Sequence, residues 1–345
     1  MSSSSQAPVV LSVEPSFALP GGELIVHGRA LLSSMHQTTH VVFVNSIANL
    51  VFASATKLVV QVPDSASGAD AMTIATEHGS VSVPVTVASL LGDELHPVAN
   101  PAVDEHSNIY ITFSGGRGQS VPTPLYRIDD SSVLRPMSAE VMNPTSLALD
   151  AVGNLYISSR HDGAVYRLTH SGELSTYAEG MGVATGIAFD AAGNLYVGDR
   201  SGTIFKIAPS KEIFVFATLE PSVAAYHLAF SPNRNLYVTA PSTSSNDCVY
   251  EINPQGVVTP WFERLGRPQG MAFDDAGNLY VVACWQGRRG VLRITPQKDA
   301  THVISGSGLV GLAFDAGRSL VLATTNAAYF VPWNIPGFIH RPLLP

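Results

Sequence analysis

Nine side chains have the types and positions to bind or transform something: Thr145, Arg160, His161, Asp199, Arg200, Tyr226, His227, Gln269 and Trp285. They stand where short apolar runs begin or end, which is where β-structure turns polar groups toward its loops. Two arginines beside aromatic rings and an amide suit a carboxylate- or sugar-bearing small molecule, or the acidic edge of a partner protein. A second reading makes Arg160 and Arg200 loop staples paired with Asp162 and Asp199. His227 has no identifiable acid to orient it, so no catalytic residue is assigned.

Other chemistries find no support in the spacing. His27, His36, His40 and His78 share no ligand spacing on one strand face, so no metal site and no cofactor are expected. Cys248 and Cys284 lack metal spacing and are expected to be small buried hydrophobes. There is no Gly-x-Ser-x-Gly, no His-Glu-x-x-His and no phosphate loop, because Gly115-Gly116-Arg117-Gly118-Gln119-Ser120 lacks a lysine and a following helix. It reads as a flexible loop, and Asp129-Asp130 and Asp274-Asp275 read as turn caps.

The elements that position these residues repeat. Gly153-Asn154-Leu155-Tyr156 returns as Gly193-Asn194-Leu195-Tyr196, Arg234-Asn235-Leu236-Tyr237 and Gly277-Asn278-Leu279-Tyr280, begins as Ser107-Asn108-Ile109-Tyr110 and fades to Arg318-Ser319-Leu320-Val321. Each copy sits in a hairpin whose Asp, Gly and Asn tolerate positive φ. A third strand (Val165–Leu168, 204–207, 249–252, 291–294) and a weaker fourth (174–177, 212–215, 258–261) follow. Four short strands per unit, six times over, predict a six-bladed β-propeller over residues 93–345. Consecutive strands are antiparallel, so first strands begin and second strands end on one face. The loops from second to third strands vary in length there, which makes that face the expected site.

Residues 1–6 are expected to be disordered, and residues 7–90 break the repeat. Short strands at Val9–Val13, 23–28, 41–44, 57–62, 71–75 and 81–87 predict a β-sandwich. Val13-Glu14-Pro15, Leu19-Pro20-Gly21-Gly22, Ile25-Val26-His27-Gly28 and Val60-Gln61-Val62-Pro63 resemble the IPT/TIG family of immunoglobulin-like domains. The resemblance implies a spacer or docking module without catalytic residues. The short junction near 89–93 implies a limited range of domain orientations.

The later segment, carried by Pro268 to Val281 and its siblings, resembles NHL-repeat proteins and six-bladed propellers of the SMP-30/gluconolactonase type. That resemblance implies a divalent cation held by Glu, Asn and Asp at first-strand starts, polarising a lactone carbonyl. The matching places read Ala99-Asn100-Pro101, Ala225-Tyr226-His227 and Pro268-Gln269-Gly270, so the expected carboxylates are absent. Asn100, Gln269, His227 and Asp199 would have to form an altered site. Streptogramin lyases, which use a related propeller and a catalytic histidine, supply a third reading centred on His227.

Charge narrows the partners. A formal net charge of -8 argues against nucleic acid, which requires concentrated Lys and Arg. No apolar run reaches membrane-spanning length. The start, Met1-Ser2-Ser3-Ser4-Ser5-Gln6, lacks a basic and apolar leader, giving a cytoplasmic expectation. The expectation is an all-β chain, an immunoglobulin-like sandwich followed by the propeller, that binds a small molecule or a protein without catalysis. A lactonase-like hydrolase is the alternative.

Overall fold

The computed structural model describes residues 6–32, 39–116, 118–129, 131–244 and 246–338. Among them the chain is built from strands, with one 3-10 turn at Asp64–Ala66 and no α-helix. It divides into two units: Met1–Leu90 with Arg288–Val291 and Thr301–Ser307, and Leu91–Gly287 with Leu292–Ala300 and Gly308–Pro345.

The first unit contains an immunoglobulin-like sandwich. One sheet runs in the order Val9–Glu14, Glu23–Arg29, Lys57–Gln61, Asn49–Ala53, and the other Ser46–Ile47, His40–Phe43, Ala71–Thr76, Gly79–Pro84. Side chains alternate across a strand, so Leu24, Val26, Leu58 and Val60 meet Val41, Phe43, Met72 and Ile74 in one core, all eight fully buried. Burial of each contributes about 1.5–3 kcal/mol. The strand Asn49–Ala53 lies outside the sequence expectation because Val51 and Phe52 are both exposed and break the apolar-in, polar-out alternation. His27, His40 and His78 are exposed and scattered, and His36 lies outside the described residues.

The second unit carries most of the propeller, in which each repeat forms one antiparallel blade with the first strand innermost. Blade one comprises Ala102–Val103, Ile109–Thr112, Leu125–Ile128 and Leu134–Met137; blade two Pro144–Leu149, Leu155–Ser159, Val165–Leu168 and Leu174–Ala178; blade three Ala184–Phe189, Leu195–Asp199, Thr203–Ile207 and Ile213–Thr218. Blade four comprises His227–Phe230, Leu236–Thr239, Asp247–Ile252 and Val258–Leu265, and blade five Met271–Phe273, Leu279–Trp285, Arg288–Ile294 and Ala300–Ser305. Blade six comprises Leu309–Phe314, Ser319–Thr324 and Ala328–Pro332, and its outer strand is Ser89–Gly92. Thr86–Val87 pairs in parallel with Phe17–Ala18 in the first unit.

The repeat tetrad builds both the turn and the joint between blades. In blade two, Asp150 Oδ1 accepts the Asn154 amide (2.8 Å), and Oδ2 accepts Asn154 Nδ2 (2.7 Å) and the Tyr156 hydroxyl (3.3 Å). The tyrosine ring then meets the next blade's first strand edge-on: Tyr156 with Phe189, Tyr196 with Phe230, Tyr237 with Phe273 and Tyr280 with Phe314, at 4.8–5.2 Å between centroids. Such pairs contribute about 0.5–1.5 kcal/mol each beyond area burial. Burial and the adjacent aspartate push the Tyr110 phenol up to about 12, so it remains a donor.

Both cysteines are half-buried rather than fully buried, because each lies near a strand end: Cys248 beside a bulge in its pairing, Cys284 opposite Gly266. Burial raises the Cys248 thiol.

Candidate functional site

The first strands do two different jobs along their length. Where they begin, they are tied to one another. Gly270 N donates to Val310 O (3.1 Å), Asn100 Nδ2 to Met271 O (2.9 Å), and Leu312 N to Asn100 Oδ1 (3.1 Å). A Cβ on Gly270 would fall 2.0 Å from Asn100 Oδ1, and one on Gly311 2.6 Å from Ala99 O, so backbones close on each other here. Toward their ends the strands separate around a central cavity of about 460 Å³.

Its wall is set by one position in every repeat. Ala102, Ala148, Ala188, Ala229, Ala272 and Ala313 each stand opposite the second-strand residue Tyr110, Tyr156, Tyr196, Tyr237, Tyr280 or Val321, and all six line the cavity. Small side chains at one level leave room at the axis. The exposed rim comes from the hairpin turns and a third-to-fourth loop, with Glu105 and His106 of blade one and Ala151, Val152 and His170 of blade two.

The nine expected residues do not converge on this cavity; His227 alone lines it. Its imidazole is 3% exposed, and burial pushes its pKa down to about 4, so it is neutral at physiological pH. No carboxylate contributes to that shift. Tyr226 is fully buried and donates its hydroxyl to Glu220 O, while its amide donates to Thr185 Oγ1 (3.1 Å). Thr145 is 2% exposed, with its hydroxyl toward Asn143 O. Gln269 ties the second strands of blades five and four through its backbone, donating to Val282 O and accepting from Thr239 Oγ1 (2.7 Å). Trp285 is half-buried against the blade-five cluster, and His161 is exposed.

The two arginines act between blades. Arg160 Nη2 donates to Gly115 O (2.9 Å) in the long loop of blade one, and Arg200 Nη2 donates to Val223 O (2.9 Å) ahead of blade four. Arg200 bonds Ser222 O and Val223 O rather than Asp199. Asp162 accepts Tyr166 Oη (2.6 Å) and Asp199 accepts the Val183 amide (2.8 Å) and the Ser201 hydroxyl. Backbone carbonyls on the neighbouring blade reach the guanidinium where the carboxylates are already occupied.

The loop at 115–120 is pinned by a residue of the next repeat: Asn143 Nδ2 donates to Ser114 O (2.6 Å) and Gly116 O (2.8 Å), and Asn143 Oδ1 accepts Gly118 N (2.7 Å). Arg117 lies outside the described residues, as does Asp130; Asp129 caps its own turn and binds Arg135 Nε (2.8 Å). Sequence reasoning placed the site on the loop-rich face; the cavity opens at the other, with Glu105, His106 and His170 at its rim. The signal was present: an alanine precedes the Phe/Leu/Val-Asp/Ser pair that opens every turn.

Comparison with known proteins agrees with both folds. Residues 8–96 match the IPT/TIG domain family. No curated protein matches the sequence. A provisionally named gluconolactonase superposes with a TM-score of 0.60 at 19% identity, covering 73% of this chain and 94% of its own. An auxiliary nutrient binding protein from Bacteroides ovatus gives 0.55 at 11%, covering 94% and 98%, and a streptogramin B lyase 0.53 at 10%, covering 95% and 97%. At such identities the likeness is one of fold. Residues 8–96 thus carry an IPT/TIG domain and the rest of the chain has a β-propeller fold like those of the solved structures, and no helix among the described residues is long and apolar enough to cross a membrane.

Proposed function

We propose that the propeller is a non-catalytic binding module whose central cavity takes an uncharged organic group, from a small molecule or a protein segment, with the TIG domain as spacer or docking module. The carrying observation is the six-alanine wall: one small apolar side chain from each blade encloses a cavity whose inner end offers a single neutral imidazole. A concave site with an apolar wall and polar side chains such as Glu105, His106 and His170 gathered at its rim is a common form of ligand site.

Two observations weigh against hydrolysis and elimination as the activity. Among the described residues no three His, Cys, Asp or Glu side chains lie close enough to share an ion. His227, with a pKa near 4, is a weak base and has no carboxylate to orient it. Chelator-treated protein is melted with calcium, magnesium, zinc or manganese and separately with a panel of uncharged ligands. Binding stabilises by RT ln(1 + [L]/Kd), about 2.7 kcal/mol at a hundredfold excess over Kd. The binding reading expects a saturable shift with a ligand, lost in Ala188→Leu. A saturable ion shift together with turnover of a lactone would replace it with the hydrolase.

A further inference from the structure

Pro336–Phe338 occupies part of the channel in an informative way. In blade five, Asp274 N donates to Asn278 O (3.0 Å). Residues alternate sides along an antiparallel ladder, so Phe273 turns its N–H and C=O away from the second strand and into the channel. Phe338 N donates to that Phe273 carbonyl at 2.8 Å, Asp275 N donates to Pro336 O at 3.1 Å, and Asp274 pairs antiparallel with Gly337. The segment is a short extra strand on the channel-side edge of the blade. It passes so close to blade six that a Cβ on Gly337 would lie 2.0 Å from Phe314 Cβ. The Phe338 side chain lines the cavity.

The same edge recurs in every blade. Asp104 N to Asn108 O (3.0 Å), Asp150 N to Asn154 O (3.1 Å), Asp190 N to Asn194 O (2.9 Å), Ser231 N to Asn235 O (3.0 Å) and Asp315 N to Ser319 O (3.1 Å) fix the same orientation. Val103, Leu149, Phe189, Phe230 and Phe314 therefore present their backbone to the cavity as Phe273 does, and all five line it. Strand edges of this kind are templates for another extended chain.

We propose that the channel is a peptide site: it takes an extended, uncharged, apolar peptide by antiparallel strand addition to the inner edges of the first strands. Backbone hydrogen bonds supply the register and the alanine ring accommodates the side chains. The inference rests on the reading of the cavity as a binding site, and it narrows the ligand from any uncharged group to a main chain with its amides free.

The probe is a synthetic peptide with the sequence of residues 333–339, its ends acetylated and amidated so that it carries no charge, and a second copy N-methylated at the amide equivalent to Phe338. Both are titrated by calorimetry into the full chain and into a chain ending at Asn334. The shortened chain is expected to bind the unmodified peptide at least about tenfold more tightly than the full chain, whose own segment competes. Methylation is expected to weaken binding by about tenfold, the loss of one buried hydrogen bond. If the shortened chain loses its native melting transition, full-length Gly337→Val, in which the Cβ clash displaces the segment, takes its place. Equal binding of the two peptides, or binding of neither, overturns the proposal. The uncharged-ligand panel then separates the cases: a shift lost in Ala188→Leu leaves the cavity reading standing without a peptide, and no shift removes both.

Discussion

Tyr237 donates its phenol to Glu251 Oε1 at 2.7 Å, while Asn235 Nδ2 donates to the same oxygen at 2.7 Å. In blades one, two, three and five the equivalent hydroxyl and amide go to the aspartate that opens the turn: Asp104, Asp150, Asp190 and Asp274. Blade four has Ser231 at that place, and a glutamate on the third strand supplies the missing carboxylate. The Tyr237 phenol is pushed upward by burial and then by Glu251.

This exchange predicts a rescue. Glu251→Ala leaves two donors without their acceptor and is expected to cost about 2–3 kcal/mol by urea unfolding. Adding Ser231→Asp restores the carboxylate on the other side of the pair and is expected to recover at least half of that. A double variant no more stable than Glu251→Ala would show that the two positions are not interchangeable.

His227 predicts a pH dependence. Its folded pKa of about 4 lies below the usual 6.5, so the unfolded chain binds the proton first as pH falls. The contribution is fully present above about pH 6.5 and is lost progressively down to pH 4, amounting to about 3 kcal/mol. His227→Gln has no proton to gain. The stability difference between wild type and variant should therefore narrow over that window; a constant difference would mean the imidazole is not buried neutral.

Gly270→Ala tests the closed end of the channel. Its Cβ would fall 2.0 Å from Asn100 Oδ1 and 2.6 Å from Gly311 Cα, so a loss of several kcal/mol or failure to fold is expected. Gly287, whose Cβ would meet nothing within 4 Å, supplies the contrast: Gly287→Ala is expected to cost about 1 kcal/mol, from its positive φ alone. Similar losses at both sites would contradict the close approach.

Arg200→Ala should lower stability by about 1–2 kcal/mol, through loss of the bond to Val223 O, without altering ligand binding in the cavity. Abolished binding at unchanged stability would return Arg200 to the site.

The repeat was legible because its turn chemistry is local: Asp, Gly, Asn and Tyr act within six residues of each other, so their pattern survives in one dimension. Ser231 shows the limit, since its replacement carboxylate lies on another strand, at Glu251. The outer strand of blade six, Ser89–Gly92, was hidden for the same reason: nothing at 89–92 names a partner at 328–332. The site was the least legible. Arg160 and Arg200 look like ligand contacts until the neighbouring blade supplies Gly115 O and Val223 O. One level of the cavity wall is a ring of alanines, whose significance lies in what they leave empty.

That wall has an evolutionary consequence. Each alanine belongs to a separate repeat and contributes one sixth of the circumference, so a single codon change can recontour one sector while five stay as they are. The turns, tyrosines and carboxylates that hold the blades are encoded elsewhere in each repeat. A gene of this kind can explore new occupants sector by sector without renegotiating the fold that encloses them.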